Sequence, residues 1–398
     1  MKRIYYYVEV ENISPIHVGN GENNFTDLDL IRDKNNQFFI PGTSLAGSII
    51  HQLNKQEQEL LEIQDNPKLM KQSPLFISDA LMKEETSIEV RDGIKLNKEK
   101  ITENTKKYDY EIIPAGQHFV FRMEMTQRGT QSYDEIMNKI FMSIQNQDIK
   151  VGYKTTRGLG RLKIIKLGQR IFDANNYNEY FEFDRFNYQH YYPLEIIEKP
   201  SDKYTKIEVS LHQNGGLSIR TYNTMKDKVD YEHIHSAGKP VIPATSWNGL
   251  LRNTIEDYIP QLKLNMSIDE LFGTDKPDSK KSKIFIDESQ IKDGFDKEIV
   301  RNRINPFHGG TVQGALYNER THYNGKTKLV ITIDNQVKEL DMIIKLLILF
   351  LKDLDNGFIA LGGQTSIGRG LFKVDEILIN QEQVNLEKYL VVKEEYTC

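Results

Sequence analysis

With 398 residues, 38% of them hydrophobic, the chain can fill two or three ordinary cores, which excludes a mainly disordered protein. A net charge of −5, from 52 Lys and Arg against 57 Asp and Glu, excludes coating of nucleic acid by bulk electrostatics and confines any such binding to local contacts. The one cysteine, Cys398, leaves no internal disulfide or cysteine-based metal site. The most apolar stretch, Leu340 to Leu351, is interrupted by Asp341 and Lys345 and is too short for a bilayer, and Met1-Lys2-Arg3-Ile4 opens no signal-peptide core. A cytoplasmic location with no membrane contact is the expectation.

In chain order, a β-rich run at Ile4 to Val10 precedes Pro41-Gly42-Thr43-Ser44, whose hydroxyls suit a helix N-cap. Leu45, Ile49, Ile50 and Leu53 continue at helical spacing. A long irregular stretch leads to a strand at His118 to Met125, a helix at Tyr133 to Ile144, a glycine loop at 152–160 and a last strand at Arg161 to Lys166. The same order returns: Thr205 to Leu211, a helix carrying Trp247, Leu250, Leu251 and Ile255, Thr327 to Ile333, Val337 to Leu351, a glycine loop at 362–370, and Leu371 to Ile377. The repeat is visible in the letters themselves. Ile40-Pro41-Gly42-Thr43-Ser44-Leu45-Ala46-Gly47 returns as Ile242-Pro243-Ala244-Thr245-Ser246-Trp247-Asn248-Gly249, Leu75 to Asp79 returns as Ile284 to Glu288, and Val90-Arg91 returns as Val300-Arg301. The glycine loops align without a gap. These observations predict an α+β chain of two tandem ferredoxin-like, RRM-like modules with long insertions, at 1–168 and 202–398. Between them, 169–201 is an aromatic-rich linker, expected to pack across the modules rather than to stack bases.

The first copy carries Pro15-Ile16-His17-Val18-Gly19-Asn20-Gly21, Asp27, Leu30-Ile31-Arg32-Asp33, the Ile-Pro-Gly-Thr-Ser helix start, Glu89-Val90-Arg91, Pro114-Ala115-Gly116 and the closing glycine loop. With these motifs the chain resembles the RAMP superfamily, in particular the backbone subunits of type III CRISPR effector complexes. As a single chain of two modules it is similar to the fused subunits of the type III-D group. The second copy departs more, with Asn214-Gly215-Gly216 and His235-Ser236 at the corresponding places, although Gly363 to Gly370 is the better match to the family's ending.

The resemblance implies a subunit that grips CRISPR RNA along its backbone, contacts other type III subunits, and displaces one base at regular intervals. A loop aspartate then serves cleavage of the paired target RNA, with Mg2+ as the expected divalent ion. Asp27 stands at that place, and Asp230 is its aligned counterpart. Attack of a 2′-OH on its own phosphate needs an unstacked nucleotide and a group that accepts the proton or holds a metal. Asp29 and Glu232, two residues beyond, make each loop a pair of carboxylates able to share an ion, or simply a solvated acidic loop. His17, His233 and His235 are alternative bases, His17 being better placed for guide contact or structure.

Guide contacts are expected at His17, Gly19 and Gly21, and at the helix starts Thr43, Ser44, Gly47, Thr245, Ser246 and Gly249, where free N–H groups and the helix dipole favour phosphate. They are also expected in the glycine loops at Arg157, Gly158, Gly160, Arg161, Gly363, Thr365, Ser366, Gly368, Arg369 and Gly370, and at Arg91 and Arg301, which extend the track or pair with internal acids. Lys154 has Gln364 opposite it and ranks lower. The competing functions are a non-catalytic guide-binding or capping subunit, and an endoribonuclease processing CRISPR precursor RNA.

Overall fold

Alternation along the first strand decides how its sheet faces. The computed structural model describes residues 2–21, 25–63, 72–96, 102–196, 203–222, 229–274 and 280–384. Its first unit comprises β1 (Lys2–Asn12), α1 (Gly42–Ile50), β2 (Leu75–Ile77), β3 (Ala80–Met82), β4 (Glu89–Leu96), β5 (Thr102–Ile112), β6 (His118–Gln127), α2 (Asp134–Gln145) and β7 (Leu162–Phe172). Ile4, Tyr6, Val8 and Val10 point to one side of β1, the period-two outcome for a strand, and meet Leu45 and Ile49 of α1 and Ile140, Phe141 and Ile144 of α2. β1 lies between β6 and β7, antiparallel to both, with β2 and β3 beyond β6. That order belongs to a split βαβ pair. β4 and β5 form a separate hairpin.

The second unit repeats the plan with β8 (Tyr204–Gln213), β9 (Tyr231–His233), α3 (Ala244–Gln261), β10 (Ile284–Ile286), β11 (Ser289–Lys292), β12 (Phe295–Arg301), β13 (Tyr317–Tyr323), β14 (Lys326–Asp334), α4 (Leu340–Asn356) and β15 (Phe372–Ile379). β8 sits between β14 and β15, with β10 and β11 beyond β14. Its own core joins Ile207, Val209 and Leu211 to Trp247, Leu251 and Ile255 of α3 and to the apolar face of α4. The duplication extends to an irregularity: β1 shifts register against β7 at Glu9/Val10, and β8 against β15 at Ser210/Leu211. Chain contacts group residues 1–155 with 159–201, and 156–158 with 202–398.

The segment expected to be a linker between modules belongs instead to the first unit. β7 runs on to Phe172, and Phe183, Tyr188 and Tyr191 then cover the outward side of β1, where Tyr5 and Tyr7 alternate with the core residues. Ring centroids lie 5.2 Å apart for Tyr5 and Phe183 and 5.1 Å for Tyr7 and Tyr188. Two large aromatics on an otherwise open sheet face are the cause, since covering them removes apolar area from water. In the first unit the sheet face on which an RNA-recognition fold stacks bases is thereby covered along β1. Cys398 lies outside the described residues, and among them no helix is long and apolar enough to cross a membrane.

Candidate nucleic-acid interface

Two loops hold the aspartates singled out by sequence. Leu28 makes a parallel bridge with Tyr110 of β5, and Tyr231 of β9 pairs in parallel with Glu319 of β13. This equates Asp27 with Asp230 by geometry. Asp27 Oδ2 accepts the backbone N–H of Asp109 at 2.9 Å, and Asp230 Oδ2 accepts that of Asn318 at 2.8 Å. Both residues are exposed, and the second carboxylate oxygen of each has no hydrogen-bond partner among the described residues. One difference separates the copies. Asp109 returns the bond, its Oδ1 accepting the Asp27 N–H at 2.8 Å, whereas Asn318 stands at that place in the second unit.

The expected carboxylate pairs do not form. Asp29 is 3% exposed and closes its own turn, accepting the Thr26 N–H and Thr26 hydroxyl, both at 2.8 Å, and the Phe25 N–H at 3.2 Å. Glu232 lies on β9 and pairs with Arg320 at 3.5 Å. Among the described residues no group of three or more His, Cys, Asp or Glu is placed to hold a metal ion. With Asp29 held in its turn and Glu232 paired with Arg320, neither residue offers a free carboxylate to an ion shared with Asp27 or Asp230.

The histidines are interior groups. His17 is buried against Tyr110 and Tyr153, its Nδ1 is 2.7 Å from the Glu111 carbonyl oxygen, and burial draws its pKa down. His233 is fully buried and accepts the Ile219 N–H; burial, with repulsion from His322 and His235, pulls its pKa down to about 3. His235 is held between the His233 carbonyl oxygen at 2.7 Å and Asp296 at 3.2 Å. None of the three is an open general base.

At the helix starts, Pro41 and Pro243 occupy the N-cap positions and no side chain caps either helix, so the threonine and serine hydroxyls do not have the expected role. The Gly42 N–H is already taken by Asp79 Oδ1 at 2.7 Å. Thr43 and Thr245 are exposed, Ser44 and Ser246 half-buried, and a Cβ added at Gly47 or Gly249 would meet open space. Gly19 and Gly21 lie exposed on the loop that bridges to Leu30, and Gly363, Thr365, Ser366 and Gly368 are exposed or half-buried around a short 3-10 turn.

The arginine track is largely internal. Arg91, Arg161 and Arg369 are 6%, 4% and 3% exposed, against an exposed Arg157. Gly158 is also buried. Gly160 and Gly370 answer to the chain's own packing, because a Cβ would come within 1.9 Å of the Val151 and Leu361 carbonyl oxygens respectively. Motif reasoning assigned these groups to a polyanion because positive charge and glycine suit one; the backbone crossing that packs Gly160 and Gly370 is invisible in a linear motif.

Sequence reasoning also missed the centre of the second unit's site. Glu319 on β13 is 1% exposed and gathers Arg220 at 3.4 Å, Arg301 Nε and Arg369 Nη2 each at 2.6 Å, and the Gln364 amide at 2.9 Å. Arg369 also donates to Thr321 at 2.7 Å. At the same places in the first unit Tyr110, Ile112 and Leu159 form a small apolar cluster, and Lys154, opposite Gln364, lies 3.4 Å from the centre of the Tyr110 ring. The ungapped glycine-loop alignment already sets Leu159 against Arg369 and Lys154 against Gln364. That coordinated change was the available signal.

Two duplicated α+β units with antiparallel sheets, each offering an anchored loop aspartate, define a tandem ferredoxin-like protein. The RAMP superfamily model matches residues 9–163 and 226–373, and the chain belongs to that superfamily. Membership implies a CRISPR-associated, crRNA-binding role with Cas-complex partners. No curated protein gives a significant match.

Proposed function

We propose that this protein is a guide-holding backbone subunit of a type III, III-D-like CRISPR effector complex, and that it cuts complementary target RNA once per unit at Asp27 and Asp230. The observation carrying this reading is the equivalent anchoring of the two aspartates: one oxygen is fixed by a strand N–H and the other is left for substrate. Beside a displaced nucleotide, such an oxygen can accept or steer the 2′-OH proton while the 2′-oxygen bonds to phosphorus. The bond to the 5′-oxygen breaks, and that oxygen leaves with a proton from solvent. A divalent ion, expected to be magnesium, would be held in part by RNA phosphate oxygens, and its requirement is an arm of the test.

The experiment is cleavage of an end-labelled, guide-complementary RNA by the assembled complex, with and without magnesium. Asp27→Asn, Asp230→Asn and the double variant are compared at matched guide binding. Each single substitution should abolish one distinct cut and the double variant both. Unchanged cutting in the double variant leaves a guide-holding scaffold, and cutting of a repeat hairpin by the isolated chain would favour precursor processing.

A further inference from the structure

Charge is not balanced around Glu319. One buried carboxylate faces three guanidinium groups, and their environments differ: the Arg369 side chain is 4% exposed, those of Arg220 and Arg301 are 29% and 32% exposed. Arg369, with its hydrogen bonds to Glu319 and Thr321, is the partner that neutralises the glutamate inside the unit. The other two bring positive charge in excess to the surface. Arg220 makes a long contact of 3.4 Å with Oε2, and Arg301 places its Nε 2.6 Å from Oε1 at an angle too poor for a hydrogen bond. Neither has another carboxylate within ion-pair distance among the described residues.

The strands bring both to residues that flank Asp230 and its anchor. Arg220 lies over the Tyr231 ring at 4.7 Å, and Tyr231 follows Asp230 directly. Arg301 pairs in register with Tyr317, the residue before Asn318, whose N–H holds Asp230. A planar guanidinium held from behind by a carboxylate presents its remaining donors as a fork, a geometry that matches two oxygens of a phosphodiester. Among the described residues the Asp27 loop has no such half-exposed pair: Tyr110 and Leu159 replace Glu319 and Arg369, Arg91, in register with Tyr110, is 6% exposed, and Lys154 is 9% exposed and laid on Tyr110.

We infer that Arg220 and Arg301, braced on Glu319, form a phosphodiester-binding site beside Asp230 that has no counterpart among the described residues of the first unit. This deepens the reading above by making the two loops unequal: RNA at the second is held by charge, and its retention falls with salt. The phosphodiester comes from guide or target, and the binding step affected tells which.

The test is fluorescence anisotropy over a salt series, first with labelled guide RNA binding to the full chain, then with labelled target RNA binding to the guide-loaded complex. Wild type is compared with Arg220→Ala/Arg301→Ala and with Arg220→Lys/Arg301→Lys. In one of the two steps the alanine pair should weaken binding about tenfold at moderate salt and flatten the log–log salt slope by about 1.5, the release expected for two phosphate contacts. The lysine pair keeps its charge and should retain most of that slope, which separates a binding role from a merely structural one. Equal slopes for wild type and both variants in both steps overturn the inference, and so does a lysine pair that behaves like the alanine pair. Cleavage by the same samples keeps the two ideas apart. If Asp230→Asn leaves cutting intact while the alanine pair flattens the slope, the catalytic reading fails and the phosphate site stands.

Discussion

Asp29 and Asp27 are two residues apart and have opposite fates. Asp29 spends its oxygens on the turn that precedes the bridge to β5, so Asp29→Ala should cost about 1–3 kcal/mol of stability through the orphaned donors. Asp27→Asn, at an exposed position, should change stability by less than about 0.5 kcal/mol. Denaturant unfolding of the two variants checks both figures. His233 supplies a pH dependence. Its folded pKa, about 3, lies below the ordinary histidine value, so its contribution to stability is present above about pH 6.5 and is lost as pH falls towards 3, at up to about 1.4 kcal/mol per unit. His233→Asn should flatten that acid limb of stability against pH. At this scale the sequence located the aspartates, because alignment of the copies needs only letters. It could not show that Asp29 is consumed, since that depends on which N–H groups the turn brings to it.

Element by element, strand alternation and helix periodicity identified the three central strands and two helices of each unit, with ends off by a few residues, such as α4 starting at Leu340 rather than Val337, whereas the short strands between the helices, such as β2, β3, β10 and β11, were read as irregular. The glycines were harder, because their roles split by location. Gly160 and Gly370 have φ of +82° and +77° and lie against a facing carbonyl oxygen, so alanine at either should destabilise its unit by several kcal/mol, beyond the ~1–3 kcal/mol of backbone strain alone. Gly47 in α1 and Gly249 in α3 face open space, and alanine there should stabilise by about 0.5–1 kcal/mol through helix propensity. Thermal unfolding of the four variants separates the two classes. If guide RNA runs close to those helices, Gly47→Ala and Gly249→Ala will weaken guide binding while raising the melting temperature, a combination that packing defects do not give. The aromatic run at 169–201 was conspicuous in composition, but its docking surface was set by Tyr5 and Tyr7 of a strand distant in sequence.

For the whole molecule, the net charge of −5 and pI near 6.1 predict weak association with RNA of unrelated sequence at physiological salt. Filter binding of a random oligonucleotide against the guide measures the difference, and comparable affinities would show that bulk electrostatics suffices after all. The tandem plan was legible because collinear repeats survive divergence of individual residues. What had changed between the copies was less so, because it lies in contacts between segments far apart in the chain.

Those contacts bear on the history of the duplication. Tyr110, Ile112 and Leu159 in one half, and Glu319, Thr321 and Arg369 in the other, are alternative solutions to the same enclosed space. A recombination tract copying only the glycine loop of the second half onto the first would carry an arginine into an apolar enclosure with no acid to meet it. The reverse tract would leave Glu319 without its buried partner. Homogenisation by short exchanges is thereby penalised, and the two halves remain free to specialise.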